Sequence, residues 1–243
     1  MLCYKAWLET RGRFLACLIT LTVFCFIFVH HAQEIAFRGD GLSRPGGPAD
    51  YYRLLFVTQE FLVIMWVVSV VLLGMGGMLR EKVLGVSTFT LALPVSRARL
   101  FGVRVAVGTL QAAALAILPW CAVFLASSLA GLPIRLSQVS SYISLLFGGG
   151  LSYFAMAILV SSSVEGEYTA PAISFGIVLL SAIAFDAWLR PFSLWRLITG
   201  DLSIDRHTYL LPSDFPWFGV FASLLAAMAM LFLAFRRIQK GDF

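Results

Sequence analysis

A chain of 243 residues that is 60% hydrophobic and only 13% charged, with a mean hydropathy of +0.88, carries more apolar surface than a soluble domain of that length can hide. This excludes a water-soluble globular enzyme and leaves a bilayer as the solvent. The net charge of +5 does not point to a nucleic-acid partner, because the basic residues flank apolar stretches and form no patch of their own.

Crossing the hydrocarbon takes about 20 apolar residues per helix, so the expected fold is all-α and integral to the membrane. It has six transmembrane helices in a single domain over 1–243, with short connections. Residues 1–13 mix Tyr4, Trp7 and Leu8, at helical spacing on one face, with Lys5, Glu9, Arg11 and Arg13. This pattern predicts an amphipathic helix lying in the membrane interface. The first span is expected at 14–37. Its apolar run is too long for a signal peptide and no small-residue cleavage site follows, so it is read as a retained helix. The Gly- and Pro-rich stretch 38–54 predicts an exposed loop.

The second span is expected at 55–79 and the third at 100–130, with Pro119 kinking the latter. Gly131, Leu132 and Pro133 predict a tight turn. The fourth span, 139–160, contains Gly148, Gly149 and Gly150, small residues suited to close helix contact or local bending. A short loop leads to the fifth span at 169–189. Residues 190–215, with Trp195, Tyr209, Pro191 and Pro212, are too long for a tight turn and suit a re-entrant or surface-lying helix. The sixth span is expected at 216–235, before a basic tail.

Six spans put both termini on one side. That side holds eleven of the 18 basic residues, including Lys5, Lys82 and Lys240, against seven on the other. The positive-inside rule therefore places both termini in the cytoplasm, in a plasma (inner) membrane.

Catalytic signatures are missing from the sequence. It has no GxxxxGK[ST], HExxH or GxSxG motif, so no nucleotide site of the P-loop kind, no metal site and no catalytic residue is expected. His30 and His31 are adjacent and point to different sides of a helix. The four cysteines (Cys3, Cys17, Cys25 and Cys121) have no metal-ligand spacing. Two acidic residues near the outer ends of spans, Glu60 and Asp186, are candidates for a translocation path.

The segment Arg80–Arg104 carries the specific signal. Leu84, Thr88 and Leu91 follow helical spacing, Glu81 and Lys82 stand near its start, Pro94 ends the run, and Ser96 is placed to cap the next helix. Glu81, Gly85, Leu91, Pro94, Ser96 and Arg97 together resemble the first cytoplasmic loop of ABC-2 type transporter permeases. The layout of spans and the closing basic tail are similar too. The chain departs from that pattern at Val86, where many relatives carry Thr. The resemblance implies a permease subunit with no ATPase or cofactor of its own. It would pair with a second permease copy, identical or similar, and with two separate ATPase subunits that bind ATP and Mg. It implies a coupling helix whose docking surface includes Glu81, Lys82, Gly85, Thr88, Pro94 and Arg97, with a smaller contact from Glu165 and Glu167. The expected activity is export of an amphipathic, lipid-like or drug-like substrate. A haem- or cofactor-related export permease, a non-transporting membrane anchor and a membrane-embedded lipid-modifying enzyme stand as alternatives.

Overall fold

The computed structural model describes residues 2–37, 48–75, 96–132, 134–164, 169–188, 193–205, 209–211 and 215–240; side chains are described for these except 32–37, 48–50, 97, 184–188 and 240. The described residues form helices and their connections, with no strand among them. The helices are α1 (Leu2–Phe37), α2 (Pro48–Gly74), α3 (Arg97–Leu129), α4 (Leu136–Ser161), α5 (Thr169–Trp188), α6 (Leu194–Thr199) and α7 (Trp217–Lys240). Five of them, α1 to α4 and α7, contain stretches long and apolar enough to cross a membrane. The apolar stretch Thr169–Ile183 of α5 is shorter.

Long helices that follow one another in the chain alternate in direction, so α1 and α3 run the same way. Tyr51 at the start of α2 hydrogen-bonds Ser127 near the end of α3, which defines the upper end of the bundle. At the lower end Phe101 of α3 packs on Phe235 of α7. Within the apolar windows 67% of α4 and 56% of α2 is buried, against 22% for both α1 and α7. So α2 and α4 form the centre, and α1 and α7 flank it.

In lipid, apolar surface gives helices little reason to associate; close backbone packing and interhelical hydrogen bonds hold them together. The lower half shows the first means most clearly. Gly74 of α2 lies where a Cβ would come 2.9 Å from the Ala157 Cβ, and Cβ atoms on Gly108 and Gly150 would run into the rings of Phe154 and Trp66. Trp66 is fully buried and its indole N–H donates to the Ala112 carbonyl at 3.2 Å, so it cannot retreat. The glycine triplet serves both purposes expected of it. Gly148 abuts Val220, Gly149 abuts Ile198, and Leu145–Gly149 adopts a π turn inside α4.

Several boundaries differ from the sequence reading. No break separates an N-terminal segment from the first span, because α1 is continuous from Leu2 to Phe37. The second helix starts at Pro48 rather than near Leu55. α3 contains Pro119 and continues to Leu129. Gly131, at φ +69°, turns the chain after α3; Pro133 lies outside the described residues.

Candidate functional site

Two regions bear on function, one at each end of the bundle. At the lower end, Ser96 takes an extended conformation (φ −63°, ψ 141°) and its hydroxyl accepts from the Arg99 N–H at 3.3 Å. This is the N-cap expected from sequence; it satisfies one of the amides that a helix start leaves unpaired. Of the residues assigned to a coupling surface, Glu81, Lys82, Gly85, Thr88, Pro94, Glu165 and Glu167 lie outside the described residues. Arg97 is the first residue of α3, and its side chain lies outside them.

The flanks of segment 76–95 are described, and α1 ties them together. Glu9 forms an ion pair with Arg104 of α3 at 3.1 Å and a looser one with Lys5 at 3.8 Å. About two turns further along α3, the Gln111 amide donates to the Thr10 hydroxyl at 2.7 Å. On the other side, Arg13 donates to the Leu72 carbonyl in the last turns of α2 at 3.4 Å. Within five residues, α1 therefore contacts both helices that enter and leave the segment. No sequence signal announced these pairs, since Glu9 and Arg104 are 95 positions apart.

The upper half holds a hydrogen-bonded network around α6. Gln59, fully buried on α2, donates from its amide nitrogen to the Ile198 carbonyl at 2.9 Å. Its amide oxygen accepts from the Trp120 indole at 3.1 Å. Trp120 stacks on Tyr142 with ring centroids 4.9 Å apart and planes 9° from parallel. Gln138 makes a two-way clamp on the Leu211 backbone, donating at 3.1 Å and accepting at 3.0 Å. Residues 197–200 and 211 are consequently buried against α2 and α4. Within 190–215 the described residues include one short helix, Leu194–Thr199, buried at its C-terminal end and terminated by Gly200 at φ +85°.

Glu60, the next residue after the buried Gln59, faces outward. It is exposed, and so are Phe61, Ile64 and Val68 of the same helix. Because α2 starts at Pro48, Glu60 lies more than three turns inside the helix at about 3.6 residues per turn. It is not a helix-end residue, as its sequence position had suggested. Phe61 meets Phe24 of α1, with ring centroids 6.1 Å apart and planes at 50°. Asp201 acts electrostatically on Glu60, and Asp201 is itself engaged by Arg196 at 3.6 Å. The second path candidate, Asp186, lies on α5 with its side chain outside the described residues. Among the described residues no group of three or more His, Cys, Asp or Glu could hold a metal ion, and the four cysteines are free thiols.

Compared with known proteins, the chain matches no family model and no curated sequence.

Proposed function

We propose that the chain is the transmembrane permease subunit of an ATP-driven exporter of the ABC-2 type. The observation that carries this reading is the sequence from Glu81 to Arg97, which runs straight into the capped start of α3 at Ser96. The geometry of the flanks supports it mechanically. A push on a short element between α2 and α3 is useful only if the helices on either side move as units. Glu9, Thr10 and Arg13 of α1 brace both flanks.

In this reading α5 also crosses, as the fifth of six spans, the lower end faces the cytoplasm, and both termini lie there in a plasma (inner) membrane. α1, at 36 residues, is about 54 Å long against a hydrocarbon core of about 30 Å. Its charged first part therefore extends into the cytoplasmic interface. Two copies, identical or similar, enclose the path, and two separate ATPase subunits hydrolyse MgATP. Glu81, Lys82, Gly85, Thr88, Pro94 and Arg97 dock on the ATPase, and Glu165 and Glu167 add a smaller contact. The substrate is amphipathic.

Co-purification with a candidate ATPase in detergent tests this. Wild type is expected to form a stable complex that hydrolyses ATP. Glu81→Ala or Arg97→Glu is expected to release the ATPase or lower hydrolysis at least about tenfold, the loss of a charge-assisted contact, while the membrane subunit keeps its unfolding temperature. A chain that binds no ATPase, or two variants that behave as wild type, overturns the assignment.

A further inference from the structure

Membrane helices rarely carry a carboxylate, and where they do it faces the bundle interior or a water-filled cavity and pairs with another group. Glu60 departs from that pattern. It lies inside the apolar stretch Tyr51–Gly74 and is exposed. Among the described residues no basic side chain or hydrogen-bond donor bonds it. Among the described residues the charged group that acts on it is another acid, Asp201, which itself contacts Arg196 at 3.6 Å. Arg53 shares the exposed face of α2 but is seven positions, about 10 Å, nearer the upper end. The orientation is fixed, because Gln59 next to it is held on both sides by Trp120 and Ile198. The helix cannot rotate Glu60 inward without breaking both bonds.

We propose that this face of α2, together with Phe24 of α1, binds an amphiphilic organic cation. The Glu60 carboxylate, which no basic side chain among the described residues bonds, supplies the counter-charge. Phe61 and Phe24 meet at 50° and offer a corner of two aromatic faces for an ammonium or phosphonium group. Ile64 and Val68 continue the exposed face for two turns below and receive the apolar body. Asp201 deepens the negative potential at the mouth. That the bound cation is the transported substrate rests on the permease reading above; the binding itself does not.

The test is equilibrium binding of radiolabelled tetraphenylphosphonium to the purified full chain in phosphatidylcholine nanodiscs. Tetraphenylborate, of the same shape and opposite charge, is the comparison. Saturable binding of the cation and none of the anion is expected. Glu60→Gln should weaken binding at least about tenfold, the value of one charge-assisted contact, whereas Glu60→Asp should retain most of it. Phe61→Leu, which keeps apolar bulk but loses the ring, should weaken it about threefold. Glu60 is exposed, so Glu60→Gln should unfold at the wild-type temperature; a variant that does not fold is replaced by Phe61→Leu as the deciding measurement. Absence of saturable binding, equal binding by Glu60→Gln, or equal binding of the anion overturns the proposal. Cation binding without any ATPase partner would leave this site standing and sink the permease reading. An ATPase complex without cation binding would do the reverse.

Discussion

The two halves of this bundle solve one packing problem in different ways. The lower half brings helix backbones together at Gly74, Gly108 and Gly150, and its hydrogen bonds, Trp66 to Ala112, Gln111 to Thr10, Arg104 to Glu9 and Arg13 to Leu72, run from helix to helix. The upper half is joined by side-chain hydrogen bonds: Tyr51 to Ser127, Gln59 to Trp120 and Ile198, Gln138 to Leu211. The difference follows from what each half contains. A helix satisfies its own peptide groups, so helices alone can meet dry and close. The upper half also holds α6 and the irregular backbone after it, whose peptide groups have no ladder to join. Buried backbone of that kind must be paired inside the protein, and the two glutamines do this. The two glutamines therefore sit where irregular backbone sits.

The strongest way to break this comparison is Gln59→Leu. It leaves the Trp120 N–H and the Ile198 carbonyl unpaired together, and each buried orphan costs about 1–3 kcal/mol. A loss of about 3 kcal/mol is expected in detergent unfolding, with amide exchange rising first at 197–204. If exchange rises evenly through α2 and α4 instead, the glutamine holds helices and not irregular backbone, and the distinction between the halves fails.

A smaller effect, about 2 kcal/mol, is expected for Gly150→Ala in the lower half. The added methyl meets the buried Trp66 ring, and overpacking of a tight contact typically costs about 1–3 kcal/mol. Gly176→Ala on α5 is the control. Nothing lies within 4 Å of the position its methyl would take, so better helix propensity should make it neutral or about 0.5–1 kcal/mol more stable. Equal losses at Gly150 and Gly176 would mean that helix propensity, and not close approach, governs the lower half.

Much of this architecture is legible in the sequence because a long apolar run has one structural meaning in a bilayer. The C-terminal ends of α3 and α5 and the cap at Ser96 follow from local residue types. What is not legible depends on partners far away in the chain. Nothing near Glu9 indicates that Arg104 will hold it, and that pairing accompanies a helix that runs unbroken through Phe14. The bonds from Gln59 and Gln138 reach over 139 and 73 positions. Glu60 is misplaced by sequence for a simpler reason. A span drawn from Leu55 puts Glu60 near an end, whereas the helix takes in Pro48 to Leu54 as well.

The smallest expected effect falls at the junction of the halves. Val220 and Ile198 fill the space that side chains on Gly148 and Gly149 would take, and there α4 makes its π turn. The Gly149 carbonyl accepts from Ser223 of α7 at 2.6 Å and from Ser152 at 3.2 Å. Ser223→Ala removes the shorter bond but leaves Ser152 in place, so the carbonyl is not orphaned. A loss of about 1 kcal/mol is expected, read as faster amide exchange confined to Leu145–Gly149. A loss as large as that of Gln59→Leu would place this carbonyl with the irregular backbone of the upper half. No change at all would mean that the glycines alone hold the turn, as close packing holds the half below. The π turn is where the two ways of packing meet, and this substitution decides which of them governs it.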